Sequence, residues 1–152
     1  MNFKTYTVEV FDDGSKLYYF KGKLHRTDGP AVEYAGGTKY WYFEGKLHRT
    51  DGPAIEYAGG PKFYYFEDKL HRTDGPAVER ANGTKFWYFE GKRHRTDGPA
   101  IEFADGSKEY WFEGKKVTKS ALKKLVAARA PDCSNKIVEI EGKRYKLVII
   151  EE

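Results

Sequence analysis

The heptapeptide His-Arg-Thr-Asp-Gly-Pro-Ala occurs four times in this chain, and no other feature constrains the fold as strongly. Its copies begin at His25, His48, His71 and His94, each 23 residues after the one before, and the sequence between them repeats in the same register. A unit this short cannot bury an apolar face by itself, whereas stacked copies can. The spacing therefore predicts an array of small supersecondary units, with any binding function spread over a repeated surface.

The repeat divides the chain into two predicted parts. The array covers residues 1–116, with units at 8–30, 31–53, 54–76, 77–99 and a truncated fifth unit at 100–116. Residues 117–152 lose the motif. Apolar residues at helical spacing between Thr118 and Pro131 predict a short helix, and alternation around Glu141-Gly142 predicts a last hairpin. We interpret this helix-hairpin segment as a cap on the end of the sheet.

Each unit contains two turn signals on either side of an aromatic strand. The first is a pair such as Gly36-Gly37, which predicts a two-residue type I′ loop with positive φ at both positions. The second is a pair such as Glu44-Gly45, in which the glycine suits a left-handed position. The predicted fold is an all-β repeat array, an antiparallel meander of 23-residue β-hairpins with a C-terminal helix and hairpin.

A two-residue loop at Gly36-Gly37 assigns the side chains of a unit to two faces. Three columns of residues fall on the predicted core face: Val32, Ile55, Val78, Ile101; Tyr18, Trp41, Tyr64, Trp87, Tyr110; and Phe20, Phe43, Phe66, Phe89, Phe112. The other face carries a row of glutamates that begins at Glu33, beside tyrosines such as Tyr42 and Tyr65. We expect this second face to be half wetted and its aromatic side chains to be available to a partner.

Four residues interrupt the regularity of the array, namely Pro61, Asp68, Arg80 and Arg93. Pro61 has no N–H, so its hairpin is predicted to be open at the tip. Arg80 is predicted to lie opposite Lys85, a like-charge pair that disfavours strand pairing.

These irregular positions also bear on binding. A partner without matching repeats has no fixed register on a uniform array, so specificity must come from positions where the units differ. We therefore place the partner-binding residues at Arg80, Arg93, Lys115, Lys116, Tyr42 and Tyr65.

The charge of the chain is unevenly distributed. Its formal net charge is +4, but residues 1–114 contain 17 Lys and Arg against 18 Asp and Glu, whereas residues 115–152 contain 10 against 5. A neutral array with a basic tail lacks the uniform positive surface typical of nucleic-acid binding. The single Cys133 excludes an internal disulfide, and no apolar run resembles a signal peptide or a membrane span. We expect a cytoplasmic protein.

The motif suggests no chemistry of its own. Histidines at equivalent positions of adjacent units would lie about 10 Å apart, too far to share one zinc ion, whose ligands lie at about 2.1 Å. The chain has no nucleophile elbow, no phosphate-binding glycine loop and no His-Glu-x-x-His. We expect no catalytic residues, no metal site and no cofactor.

Two interpretations of the repeated motif remain open. In the structural one, each histidine packs on the aromatic columns, each aspartate caps the turn, and each arginine pairs with Asp or Glu. In the functional one, the arginines form a row of guanidinium groups directed at carboxylates or phosphates. The residues concerned are His25, Arg26, Asp28, His48, Arg49, Asp51, His71, Arg72, Asp74, His94, Arg95 and Asp97.

The segment from Trp41 to His48, with its 23-residue period, resembles the MORN repeat, in which an aromatic strand is followed by a Gly-Lys turn. It is most similar to MORN-repeat variants of bacterial antitoxin-like and phage-encoded proteins. The resemblance covers residues 8–116. It implies an elongated, twisted β-sheet that engages other macromolecules without chemistry of its own.

Two functions follow as expectations. The first is a non-catalytic module that binds and neutralises a protein partner, such as a toxin or a bacterial defence protein. The alternative is a phosphate-ligand binder, for nucleic acid or a small nucleotide, which uses the His-Arg row and the basic tail.

Overall fold

The computed structural model describes residues 6–129 and, in the C-terminal segment, residues 137–140 and 143–146. The chain is an all-β repeat array with one helix. The strands are, in order, β1 Tyr6–Val10, β2 Lys16–Phe20, β3 Lys23–Leu24, β4 Val32–Glu33, β5 Lys39–Tyr40, β6 Tyr42–Phe43, β7 Lys46–Leu47, β8 Ile55–Glu56, β9 Lys62–Phe63, β10 Tyr65–Phe66, β11 Lys69–Leu70, β12 Val78–Glu79, β13 Lys85–Phe86, β14 Tyr88–Phe89, β15 Lys92–Arg93, β16 Ile101–Glu102, β17 Lys108–Phe112, β18 Lys115–Val117, β19 Ile137–Ile140 and β20 Lys143–Lys146; helix α1 is Lys119–Arg129.

The strands form two rows of antiparallel hairpins that run side by side along the array. In the main sheet the order is β1-β2-β4-β5-β8-β9-β12-β13-β16-β17-β18, with β3 on β2, and its neighbours pair antiparallel. The second row consists of the hairpins β6-β7, β10-β11 and β14-β15. Successive turns of this row are joined by backbone bonds, such as Arg26 N–H to Tyr42 O (3.2 Å) and Gly45 N–H to Leu24 O (2.9 Å). The predicted antiparallel meander is confirmed, and each repeat contacts the next through both rows.

The first turn of each repeat is a three-residue loop, so the two-residue type I′ loop predicted there is wrong. In the second repeat Tyr34 N–H donates to Thr38 O (3.0 Å) and Gly37 N–H donates to Tyr34 O (2.8 Å). Gly37 has a φ of 86°, whereas Gly36 is not in the left-handed region. This geometry is a type I turn followed by a left-handed bulge residue.

The extra loop residue shifts the strand register by one and corrects the predicted faces. Val32 pairs with Tyr40, and Glu33 pairs with Lys39. Because paired residues share a side of the sheet, Val32 lies with the tyrosines and not with Trp41. We call the side of Val32, Tyr34, Tyr40, Tyr42 and their equivalents the tyrosine face. The side of Glu33, Lys39, Trp41, Phe43 and their equivalents is the arginine face.

A row of alternating charges crosses the arginine face of the main sheet. Its members are, in order, Lys16, Glu33, Lys39, Glu56, Lys62, Glu79, Lys85, Glu102 and Lys108, each paired with the next. Opposite charges across a strand pair each contribute about 0.2 to 1 kcal/mol. Lys85 therefore faces glutamates, and the predicted like-charge pair of Arg80 with Lys85 is wrong.

The buried core lies along the Ala-Val and Ala-Ile steps that open each repeat. Four alanines are fully buried, namely Ala31, Ala54, Ala77 and Ala100. The residues that follow them are almost fully buried, namely Val32, Ile55, Val78 and Ile101. On the tyrosine face Val78, Phe86 and Ile101 form a cluster against which Leu70 and Tyr88 pack. The phenylalanine column was predicted to be core, but three of its members, Phe43, Phe66 and Phe89, are 43–46% exposed on the arginine face.

The type I′ loop occurs in the second turn. Glu44 and Gly45 both have positive φ, 51° and 85°, between the paired residues Phe43 and Lys46. The first turn at Pro61 is also closed, because Tyr57 N–H donates to Pro61 O (3.3 Å) and no N–H of the proline is needed. The predicted open tip is therefore wrong.

The C-terminal segment begins with the predicted helix. Thr118 caps α1 by accepting a bond from Ala121 N–H at its Oγ1 (3.1 Å), and Leu122 is buried. The predicted hairpin is present as β19-β20. Pro131 and Cys133 lie outside the described residues. No helix in the described part of the chain is long and apolar enough to cross a membrane.

Candidate functional site

Each His-Arg-Thr-Asp segment closes on itself through its arginine. Arg49 donates from Nε to Asp51 Oδ1 (2.8 Å) and from Nη1 to Pro53 O (3.2 Å) and Glu56 Oε1 (3.1 Å). Its guanidinium carbon lies 4.0 Å from the centroid of the Trp41 ring. The same contacts recur at Arg26, Arg72 and Arg95. The arginine row is thus anchored within the protein, as the structural interpretation of the motif has it.

We call this set of contacts made by a motif arginine the clasp. Its electrostatics follow from the burial of the arginine and the exposure of the aspartate. The side chain of Arg49 is 20% exposed, whereas that of Asp51 is 79% exposed. The hydrogen bond from Arg49 holds the pKa of Asp51 below its usual value. The other clasps likewise lower the pKa values of their aspartates, Asp28, Asp74 and Asp97. Each clasp therefore presents an ionised carboxylate to solvent above a largely covered guanidinium group.

The histidines form a continuous stack with the phenylalanine column. His71 lies 6.1 Å from Phe66 and 4.6 Å from Phe89 between ring centroids, and the alternation runs from Phe20 to Phe112. Three histidines also accept a backbone N–H of the next repeat at Nδ1, from Glu44 to His25 (3.0 Å), Glu90 to His71 (3.2 Å) and Glu113 to His94 (3.1 Å). This bond assigns the ring proton of the neutral imidazole to Nε2.

The fourth histidine, His48, lies where the repeat departs from its pattern. The second turn of the next repeat has Asp68 in place of glycine, with a φ of 63°. Asp68 Oδ1 accepts a bond from Leu47 N–H (2.8 Å), which ties the irregular turn to the preceding repeat. Among the described residues, no group of three or more His, Cys, Asp or Glu side chains could hold a metal ion.

In the described part of the chain, three equivalent grooves lie between successive motif segments on the arginine face. Groove 1 lies between segments 26–29 and 48–51, groove 2 between 49–52 and 71–74, and groove 3 between 72–76 and 94–97. Their volumes are about 590, 310 and 560 Å³ in that order. Their floors are aromatic, with Trp41 and Phe43, Tyr64 and Phe66, and Trp87 and Phe89 respectively.

The tyrosine face carries a connected aromatic surface. Tyr34 and Tyr57 are 49% and 41% exposed, and both pack edge-on against Tyr40, at 5.8 and 6.2 Å. Burial raises the pKa of Tyr40 to about 12, assisted by a hydrogen bond with Tyr57. Burial also raises the pKa values of Tyr42 and Tyr65. These phenols stay neutral, and therefore able to donate hydrogen bonds, across the physiological range.

The structure brings five of the predicted partner-binding residues onto this face, namely Tyr42, Tyr65, Arg80, Arg93 and Lys116. Tyr42 and Tyr65 occupy one column of it. Arg93 pairs with Tyr88 of the same column and donates from Nε to its hydroxyl (3.2 Å). Lys116 pairs with Trp111.

Arginines Arg80 and Arg93 meet the aromatic surface through their guanidinium groups. That of Arg80 lies 4.9 Å from the Phe86 ring, and that of Arg93 lies 4.8 Å from the Trp111 ring. Neither forms an ion pair with a carboxylate in the described part of the chain. Lys116 differs, because its Nζ lies 2.6 Å from Glu109 Oε1. Lys115 is on the arginine face, since it pairs with Phe112.

Sequence reasoning found Tyr42 and Tyr65 but missed other, more exposed aromatic residues of both surfaces. On the tyrosine face it did not single out Tyr34 and Tyr57, and on the arginine face it placed Phe43, Phe66 and Phe89 in the core, although all five are exposed. The row of alternating charges was the signal that could have revealed the correct faces. Only the register of a three-residue first turn pairs every glutamate of that row with lysines.

No protein-family model matches the chain, and no curated protein matches it.

Proposed function

We propose that this protein is a non-catalytic binding module whose tyrosine face docks on an acidic surface of a protein partner. The observation that carries the proposal is the connected, half-exposed aromatic surface of that face, with Tyr34 and Tyr57 49% and 41% exposed. Tyrosine, tryptophan and arginine are the residues that dominate protein interfaces, because they combine a large apolar area with hydrogen-bonding groups.

Charge favours an acidic partner. Arg80 and Arg93 lie beside the exposed aromatics, and their guanidinium groups are held over Phe86 and Trp111 without a carboxylate partner among the described residues. An arginine stacked on an aromatic ring keeps its planar fork in one orientation, so less side-chain entropy is lost when it binds a carboxylate. Both arginines lie in the fourth of the five units and interrupt an otherwise repeated face, so they give a partner a fixed register.

The aromatic surface is organised before binding. Tyr40 is held between Tyr34 and Tyr57, and Tyr42 stacks on Tyr40 at 6.5 Å. Rings fixed in this way have few rotamers left to lose on association. The raised pKa values of Tyr40 and Tyr42 keep their hydroxyl groups as neutral donors that suit backbone carbonyls or carboxylates of a partner.

The biological role belongs to the same proposal. The resemblance of residues 8–116 to MORN-repeat variants supports neutralisation of a toxin or of a defence protein by a bound array. The single Cys133 suits a reducing cytoplasm.

The alternative, a phosphate-ligand binder that uses the motif arginines, has less support. Nε and Nη1 of each motif arginine already donate to protein acceptors. A phosphate ligand would therefore find one free donor nitrogen per guanidinium group. It would also meet the exposed aspartate carboxylates, which repel phosphate.

The test is native mass spectrometry of the protein purified from its own host, with wild type and two double variants compared. We expect a stoichiometric protein complex for wild type and its loss for Arg80→Glu/Arg93→Glu. The matched control, Lys46→Glu/Lys69→Glu on the arginine face, should retain the complex.

Three outcomes would contradict the proposal. They are no protein complex in any sample, a mass increment that corresponds to a nucleotide, or loss of the complex in the control variant alone.

A further inference from the structure

We infer that the three grooves of the arginine face form a second site, which binds one polyproline II peptide with a basic residue at every third position. This site is on the opposite side of the sheet from the tyrosine face and does not depend on the function proposed for that face. The inference rests on the period of the grooves, on their lining and on their exposed charge.

The period of the grooves matches a polyproline II helix. Each repeat adds two strands to the main sheet, and strands lie 4.7–4.9 Å apart, so equivalent grooves recur about every 9.4 to 9.8 Å. A polyproline II helix has three residues per turn and a rise of 3.1 Å, so it repeats about every 9.3 Å. A peptide in this conformation that runs along the array can place the same side chain in each groove in turn.

An extended β-strand does not meet this condition. Three residues of a strand also span about 10 Å, but successive side chains point to opposite sides with a period of two. Every second groove would then face a side chain that points away from it. The three-residue turn of polyproline II keeps equivalent residues on one side, so the spacing selects this conformation.

The lining of the grooves suits a proline-rich backbone. Proline-rich peptides dock in aromatic grooves, and here Phe43, Phe66 and Phe89 expose 43–46% of their surface, one to each groove. The carbonyl groups of a polyproline II peptide have no internal partner. Donors at the grooves include the motif threonine hydroxyls and the arginine Nη2 groups, and in grooves 2 and 3 also the Nε2–H groups of His71 and His94.

The accessible charge of the grooves is acidic. Each groove lies between two motif aspartates, whose side chains are 77–79% exposed, whereas the motif arginines are only 20–22% exposed. A lysine or arginine at every third position of the peptide would meet one such carboxylate in each repeat. This complementarity identifies a basic proline-rich peptide as the occupant, in preference to an acidic one.

The experiment uses the synthetic peptides acetyl-(Pro-Pro-Lys)n-amide, with n from 1 to 4, and the fluorescence of Trp41 and Trp87 in grooves 1 and 3. Because each added triplet engages one more groove, affinity should rise steeply up to n = 3, by about tenfold or more per triplet, and then level off. The all-D peptide of n = 3 has the same charge and composition but the opposite hand. It should bind at least tenfold more weakly, on the order of the loss of one groove.

Variants separate this site from the tyrosine face. Phe66→Ala removes the exposed ring of groove 2 and should weaken the n = 3 peptide by about tenfold, with far-UV circular dichroism to verify the fold. Arg80→Glu/Arg93→Glu should leave peptide binding unchanged. Equal binding of the L and D peptides, equal binding of (Pro-Pro-Glu)3, or no dependence on n would each overturn the inference, and these comparisons need no protein variant.

Discussion

The residue that organises each repeat is its arginine. One guanidinium group joins an aspartate two residues on, a proline carbonyl four residues on and a glutamate seven residues on, and it lies on the ring of the preceding strand. No other side chain offers donors in a planar fork together with a face that stacks. The identity of the four motifs therefore has a structural cause.

Replacing Arg49 with lysine should destabilise the protein in spite of the retained charge. A single ammonium group cannot reach three acceptors and cover Trp41 at once, so we expect a loss of about 2 kcal/mol. The measurement is urea denaturation followed by circular dichroism. The matched control is Arg80→Lys, an exposed arginine outside the motif, which should change stability by less than about 0.5 kcal/mol. Equal losses for both variants would show that the clasp contributes nothing specific.

The second prediction at this scale concerns acid. Burial lowers the pKa of His94 below its ordinary value of 6.5, Arg129 lowers it further, and Glu113 opposes the shift. The folded protein thus prefers the neutral ring, whose Nδ1 accepts the N–H of Glu113. This stabilisation is complete above the unfolded-state pKa and is lost as the pH falls below about 6.5 towards the folded-state pKa.

The variant His94→Asn tests this effect, because an amide oxygen can accept the same N–H but does not titrate. Its unfolding free energy should depend less on pH between about 5 and 7 than that of wild type. Identical slopes for the two proteins in that range would contradict the assignment.

Among elements, the first turn of each repeat decides which side chains share a face. The φ angle of the second loop residue differs between two repeats, so the same substitution should have different effects in them. Gly36 does not need a left-handed φ, and a Cβ added there would meet no atom within 4 Å, whereas Gly59, the equivalent residue in the next repeat, has a φ of 60°.

Gly36→Ala should therefore be neutral or stabilising by up to about 1 kcal/mol, because it restricts the unfolded chain. Gly59→Ala should cost about 1 to 2 kcal/mol, because alanine is strained at that φ. Thermal melts of both variants, made side by side, provide the comparison. Equal effects would mean that the two turns share one conformation.

The same turn explains what the sequence could and could not predict. The period, the hairpins, the antiparallel meander, the helix and the last hairpin all followed from local signals. Gly36-Gly37 fits either a two-residue loop or a three-residue loop with a bulge, and local propensity does not separate them. A one-residue difference exchanges the faces of a strand, so Phe43 was placed in the core beside Val32, whereas the structure puts the two residues on opposite faces. The predicted partner-binding residues Arg80 and Arg93 were chosen because they depart from the repeat, a rule that does not depend on faces. Tyr42 and Tyr65 were chosen from a predicted face that they shared with the glutamate row, whereas the structure places the glutamates on the opposite side.

At the scale of the whole molecule, successive repeats are joined by the same backbone hydrogen bonds. Arg26 N–H to Tyr42 O has equivalents at Arg49, Arg72 and Arg95, each with an acceptor one repeat on. The free energy of unfolding of such an array is approximately the sum of a contribution from each repeat and a contribution from each interface between neighbouring repeats.

Deleting residues 54–76 should therefore leave a folded, shorter array, since Pro53 would be joined to Ala77 as it is now to Ala54. The dependence of unfolding free energy on urea should fall roughly in proportion to the surface removed. Deleting residues 54–65, half a repeat, is the control and should abolish cooperative unfolding. A cooperative transition in that control would show that the 23-residue register is not required.

The meander has a further consequence when the protein is pulled by its ends. The strands run across the long axis of the array, so their hydrogen bonds lie along the direction of tension and break in sequence, as a zipper opens. Such a protein yields at low force, one repeat at a time. Each step releases 23 residues, about 70 Å of extended chain after the folded width is subtracted. Under load the molecule would act as an extensible tether, which lengthens in equal increments and shortens again when the tension falls.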